Sequence, residues 1–181
     1  LLFANVIQTV ESMLSAGKNN KDILEFLQNT NVYFNAERSP LPDFMKIYAY
    51  ARGEFLDGSG WVPPPEYSPP QRPWHIGAEN NDGRIFFSEP YTEAETGGLC
   101  ISFSQKLVDV NGTAYGILAV DLKLSRIADY VHNQHIVGNG YGVLIDDKLN
   151  FITHRDESLI GVNMAKAGGA WEDLLVADIM T

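Results

Sequence analysis

The chain has 181 residues, 45% of them hydrophobic, enough to pack one full domain and part of another. It carries 13 Lys+Arg against 23 Asp+Glu, a net charge of −10 with no basic run, which disfavours nucleic acid and anionic lipid surfaces as partners. A single cysteine, Cys100, excludes an internal disulfide framework and a thiolate zinc cluster. No stretch approaches the ~18 consecutive apolar residues of a membrane span, and no signal peptide is visible. The chain opens Leu-Leu-Phe inside an amphipathic pattern, so a segment of a longer protein is expected.

In chain order, Leu2, Phe3, Val6, Ile7, Val10, Met13 and Leu14 recur at three- and four-residue steps and predict a helix. Gly17 lies just past it as a stop. A second helix follows, with Asn20 as its N-cap and Ile23, Leu24, Phe26 and Leu27 on its apolar side. Ser39-Pro40-Leu41-Pro42 ends the helical part. Phe44 to Tyr50 reads as a strand and Arg52-Gly53-Glu54 as a turn. Residues 57–73 hold six prolines together with Trp61 and Tyr67, which predicts an ordered lid over the fold. Strands follow at Arg84–Ser88, Leu99–Val108 and Thr113–Asp121, the last two joined by an Asn111-Gly112 turn. Leu124–His132 has helical spacing. Glycines at 138, 140 and 142 mark a boundary before a hairpin, Tyr141–Ile145 and Phe151–His154, and a last helix at Ala170–Ala177. Hairpin-joined strands with helices at the flanks predict an α+β fold.

Most candidate chemistry has a plain structural explanation. Cys100 between Leu99 and Ile101 is a small buried residue. His132, His135 and His154 lack the spacing of a zinc-binding helix. Asp146-Asp147-Lys148 lacks the central Gly and distal Glu of a calcium loop, and Asn111-Gly112-Thr113 serves as a turn. No Gly-rich phosphate loop is present. The informative set is Tyr67, Arg72, Trp74, Tyr91, Glu93 and Asp121. Arg72 and Trp74, two apart in a Pro-rich stretch expected to be extended, offer a guanidinium fork and an indole N–H on one side, both donors suited to a carboxylate. Glu93 and Asp121 are acceptors suited to an ammonium group. Asp121 ends a strand whose same-face neighbours are expected to be Tyr115, Ile117 and Ala119, where an unpaired acid is costly.

Three blocks, Arg72-Pro73-Trp74-His75, Ser88-Glu89-Pro90-Tyr91 and Gly116-Ile117-Leu118-Ala119-Val120-Asp121-Leu122, resemble the double Cache (dCache) sensor domains of bacterial and archaeal chemoreceptors, histidine kinases and diguanylate cyclases. Gly140-Tyr141-Gly142-Val143-Leu144-Ile145-Asp146, with His154 and Ile160-Gly161, resembles the opening of a second Cache module. The resemblance implies a PAS-like, membrane-distal module with its N-terminal helix over residues 1–137 and the beginning of a membrane-proximal module over 138–181. It implies an extracytoplasmic, ligand-binding, non-enzymatic domain of a membrane-anchored receptor. The ligand is a small amino acid or related amine, no cofactor or metal is implied, and a homodimer through the N-terminal helix is expected. Tyr67, Arg72 and Trp74 would hold the ligand's carboxylate; Tyr91, Glu93 and Asp121 would hold its ammonium. His75 stands where an aromatic, commonly Tyr, is usual, and Glu93 where Asp is usual. The second module is expected to be incomplete at Thr181.

Two other functions compete: a ligand-free dimerisation or signalling module of the same fold, and a metal-dependent hydrolase using the histidines. The full Arg-x-Trp, Tyr and acid set favours ligand binding over the first. Lack of a nucleophile, base and metal set argues against the second.

Overall fold

The computed structural model describes residues 2–37, 44–133 and 140–168. The chain divides into two compact units, Leu1–Lys123 and Leu124–Thr181. In the first, α1 (Leu2–Ser15) buries Val6, Ile7, Val10 and Leu14, four residues of the expected stripe. Helix α2 (Asn20–Phe34) is capped one residue earlier than expected. Asn19, in extended geometry, accepts from the Lys21 and Asp22 amides, and Asp22 returns a bond to the Asn19 amide. That reciprocal box needs an acid three residues on, which Asn19 has and Asn20 lacks. Asn20 instead donates its side-chain amide to Ala51 O and Glu54.

Six strands form one antiparallel sheet: β1 (Phe44–Ala51), β2 (Glu54–Asp57), β3 (Phe86–Phe87), β4 (Tyr91–Thr92), β5 (Leu99–Val108) and β6 (Ala114–Lys123). The order is β2-β1-β6-β5-β3, with β4 also pairing β5. The strand expected over Arg84–Ser88 is therefore short. The long central strands bury opposite faces against different layers. Ile47, Ala49, Leu118 and Val120 meet α1 and α2. Tyr48, Ile117 and Ala119 meet Trp74 and Ala78 of α3 (Pro73–Glu79) on the other side.

Two local details aim side chains. A register irregularity at Leu107/Val108 places Leu107 opposite Gly116 and Val108 opposite Ala114, leaving Tyr115 as an extra residue. Tyr115 therefore packs with the helix-side core and over Arg52, not beside Ile117 and Asp121 as expected. Gly116 sits at φ 153°, and a Cβ there would lie 1.9 Å from Tyr50 O, so the close approach of β1 and β6 requires glycine. On β5, Cys100, Ser102 and Ser104 are buried on one face, so small side chains lie beneath α3, while Leu107 is buried in the helix-side core.

In the second unit, α4 (Leu124–His132) packs against β8 (Phe151–Thr153), which pairs with β7 (Leu144–Ile145). Phe151 and Met164 form its core. Contact thus groups α4 with the following hairpin, whereas the boundary expected at 137/138 leaves it with the first module. Gly142 contributes: a Cβ there would lie 2.7 Å from Val131 O. The expected helix at 170–177 and the Ser39–Pro42 connection lie outside the described residues.

Candidate functional site

The site lies on the sheet face away from α1 and α2. The proline-rich segment ends in a short 3-10 turn, Pro69–Gln71, and then Pro73 starts α3. Proline at the first helical position loses no hydrogen bond, so Arg72-Pro73 marks a helix start, not the continuing extended strand expected. Arg72 becomes the N-cap residue and Trp74 lies within the helix, 1% exposed. Ser104 Oγ donates to Trp74 O at 2.7 Å and ties α3 to β5.

Arg72 donates from Nη2 to Thr92 O at 2.7 Å. Its guanidinium carbon lies 5.7 Å from the Tyr67 ring centroid and 5.3 Å from that of Tyr91. Its Nε is buried with no hydrogen-bond partner. Burial pushes the Tyr67 hydroxyl's pKa up, against a side-chain hydrogen bond with Trp74 and the Arg72 charge. Tyr67, Arg72 and Trp74 are thus brought together.

Asp121, 1% exposed, ends the buried part of β6. Among the described residues, its donors all reach one oxygen. Oδ1 accepts from Ser102 Oγ at 2.5 Å, Tyr48 Oη at 2.8 Å and, weakly, Tyr91 Oη at 3.4 Å. Tyr91 Oη and Ser102 Oγ lie 2.6 Å apart. Burial raises the Asp121 carboxyl to about 6, against the opposing pull of Ser102, Tyr48 and the Lys46 charge. Burial also drives the Tyr91 hydroxyl far up, and with Asp121's charge lifts the Cys100 thiol to about 12, an inert thiol at neutral pH.

Lys46 faces Asp121 across the β1–β6 ladder and is 4% exposed. Its Nζ lies 2.5 Å from Glu93 Oε1, 3.1 Å from Glu95 Oε2 and 3.7 Å from Asp57 Oδ2. It also sits 4.6 Å from the Trp61 ring centroid. Burial works to lower its pKa, but the acids around it prevail and the net shift is upward. Glu93 shows the converse: burial would raise it, yet the Lys46 contact and the Glu95 and Thr96 amides bring it to about 2. So Glu93 lies near the other expected residues with its carboxylate already engaged.

Aromatic rings close the cluster. Tyr48 meets Trp74 at 5.0 Å and Phe55 at 5.6 Å, and Phe55, Trp61 and Tyr67 lie within 5.1–6.0 Å of one another. The lid residues Trp61 and Tyr67 are therefore packed over the sheet. A separate cavity of about 430 Å³, lined by Tyr50, Phe55, Pro63, Tyr67 and Pro69 among others, borders this cluster and reaches neither Arg72 nor Asp121. Sequence reasoning missed Lys46, Tyr48, Asp57 and Ser102. A lysine inside the apolar run Phe44–Ala51 and two serines alternating along Leu99–Val108 were the available signals.

Elsewhere, His154 bonds to Tyr141 Oη and the Asp156 amide. Asp146 accepts from the Lys148 and Asn150 amides as a turn. Among the described residues no group of three or more His, Cys, Asp or Glu could hold a metal ion; His135 lies outside them. Among the described residues, no helix is long and apolar enough to cross a membrane.

An antiparallel sheet with helices on one face and a lidded polar cluster on the other defines a PAS-like architecture. Residues 10–129 match the family described as "Methyl-accepting chemotaxis protein-like, first PDC sensor domain", and the chain belongs to it. Among curated relatives, it is 26% identical over 121 residues to the chemotaxis protein McpC of Bacillus subtilis, covering 67% of this chain and 17% of that protein. It is 27% identical over 126 residues to McpB of the same organism, covering 67% and 18%. The chain thus spans under a fifth of those receptors' length. Among solved structures, it is similar to the ligand-binding domain of the Pseudomonas aeruginosa amino acid chemoreceptor PctC in complex with GABA. The TM-score is 0.71 at 22% identity, over 92% of this chain and 74% of that one. The PctB domain in complex with L-Arg gives 0.69 at 21%, over 90% and 64%. These likenesses establish the fold.

Proposed function

We propose that this domain senses a small amino acid or related amine outside the cytoplasm, as part of a membrane-anchored receptor. The observation that carries the reading is a half-buried cation and a buried anion held apart on one face. Arg72, with its buried Nε unpartnered, and Asp121 are not ion-paired to each other. Tyr91 stands between them, its ring on Arg72 and its hydroxyl toward Asp121. A zwitterion placed across Tyr91 satisfies both ends: its carboxylate meets Arg72, Trp74 and Tyr67, and its ammonium meets Asp121 and Tyr91. The ligands in the PctB, PctC and CtaA structures, L-Arg, GABA and L-serine, support that class. The role is binding, not catalysis.

The packed rings of Phe55, Trp61 and Tyr67 would have to part for entry, so binding selects an altered lid arrangement, and that difference is the signal. A dimer through α1 would use its polar side, since its apolar stripe is spent on the sheet. The test is thermal unfolding with L-serine, L-arginine and GABA. A ligand at about 100 times its dissociation constant adds ~2.7 kcal/mol. No shift with any proteinogenic amino acid or small amine rejects the reading.

A further inference from the structure

We propose that Lys46 is a built-in ammonium that fills the Glu93 acid, so that a ligand's own ammonium is held at Asp121 and never reaches Glu93. The ligand half of this rests on the function proposed above; the Lys46 half does not.

A carboxylate has about four in-plane lone-pair sites. At Glu93 all four are taken: Oε1 by Lys46 Nζ and the Glu95 amide, Oε2 by the Thr96 amide and Thr96 Oγ1. Nothing is left for an incoming amine. At Asp121 the donors crowd onto Oδ1, and Oδ2 is the acceptor that an ammonium can take.

Lys46 stands directly opposite Asp121 on the neighbouring strand, and its Nζ lies over the Trp61 ring and against Glu93, just after β4. Asp57, Glu93, Glu95 and the Trp61 face together make a cage for one alkylammonium group, and the chain supplies that group itself. Asp57 Oδ2, buried and without a hydrogen bond, has Lys46 Nζ at 3.7 Å as its compensating charge. The residue that would double the ligand's ammonium contact is thereby a positioning residue for Lys46. The site accepts one ammonium per ligand and excludes a second cation from this corner.

The test uses the whole domain and four variants, Lys46→Ala, Glu93→Gln, Asp121→Asn and the double variant Lys46→Met/Glu93→Gln. Without ligand, Glu93→Gln removes the nearest of the three acids on a buried ammonium and Lys46→Ala strands a carboxylate cluster, so each should lower Tm, by roughly 2–8 °C and 5–15 °C respectively. The double variant should lose less than the sum of the two single variants, with Asp57 and Glu95 still lacking their cation. Propylammonium chloride at about 50 mM should raise the Tm of Lys46→Ala by several degrees, and not that of wild type, with sodium chloride and 1-propanol as controls. A merely structural loss of the lysine stem would respond to propanol equally. Titration with L-serine, L-arginine and GABA should show the double variant within about threefold of wild type. Asp121→Asn should lose tenfold or more. Glu93→Gln as stable as wild type, losses that add in the double variant, or propylammonium acting on wild type too would overturn the Lys46 role. Tenfold loss of binding in the double variant would overturn the assignment of the ammonium to Asp121. If wild type binds no amino acid or amine, the proposed function fails while the unfolding data still decide Lys46.

Discussion

Replacing Asp121 by Asn should make the unliganded domain more stable and at the same time blind to amines. Burial holds the folded carboxyl at about 6 against an ordinary 3.8. A raised carboxyl is easier to fold protonated, so its contribution is fully present below about pH 4 and is lost as pH rises through about 6. Above that window the ionised group costs up to about 3 kcal/mol, from roughly two pH units at 1.36 kcal/mol each. Asparagine keeps an Oδ1 acceptor for Tyr48 and Ser102 and removes the charge. A net gain of about 1–3 kcal/mol at pH 8 follows, or roughly 3–10 °C in Tm. The gain should shrink on acidification and vanish near pH 4. Calorimetry of both proteins from pH 4 to 8 measures it, and an Asn variant less stable at pH 8, or a pH-independent difference, refutes the argument. Ligand binding by wild type should show the mirror image. An ammonium needs the carboxylate, so affinity should fall about tenfold between pH 7 and pH 5.

Arg72→Ala should weaken an amino acid ligand by roughly 30-fold to several thousandfold, since a desolvated carboxylate left unpaired costs about 2–5 kcal/mol; titration calorimetry with the cognate ligand reads it, and unchanged affinity rejects the role. Asn19→Ala removes the cap of α2 and should cost about 1 kcal/mol, seen as a Tm lower by roughly 2–4 °C with ligand affinity unaltered. Gly116→Ala should be far worse, because its Cβ would meet Tyr50 O at 1.9 Å in the middle of the β1–β6 pairing. Loss of the cooperative unfolding transition is the expected outcome, and a Tm within a few degrees of wild type would show that the strands can part there at little cost.

The helices and central strands were legible because each carries its own period. The α1 stripe recurs at helical steps, and Leu99–Val108 alternates, so backbone geometry alone puts those side chains on one face. The Asn-Gly turn reads equally well: Gly112 has φ 79° and Asp109 accepts from the Asn111 and Thr113 amides. The α+β class and the family resemblance rest on such local signals.

Legibility fell where a single residue tips the geometry. Asn19 and Asn20 are equivalent as composition, and only the position of Asp22 chooses between them. Pro73 after Arg72 is compatible with an extended chain or a helix start, and the packing of Trp74 between Tyr48 and β5 selects the helix. Tyr115 changes face because of one extra residue opposite Leu107–Val108, which alternation cannot see from one strand.

The sequence by itself determined the elements, the class, and the set of donors and acceptors available for a zwitterion, because those depend on residue type and short-range spacing. Which of those groups remain free was decided by tertiary structure. Lys46 and Glu93 are 47 residues apart and meet at 2.5 Å only because one sheet holds both β1 and β4, the strand that Glu93 follows. Charge pairing at that range is a property of three-dimensional distance in a buried, low-dielectric space. It placed Glu93 in an internal ion pair and left Asp121 desolvated and facing Tyr91, where the proposed function puts the ligand's ammonium.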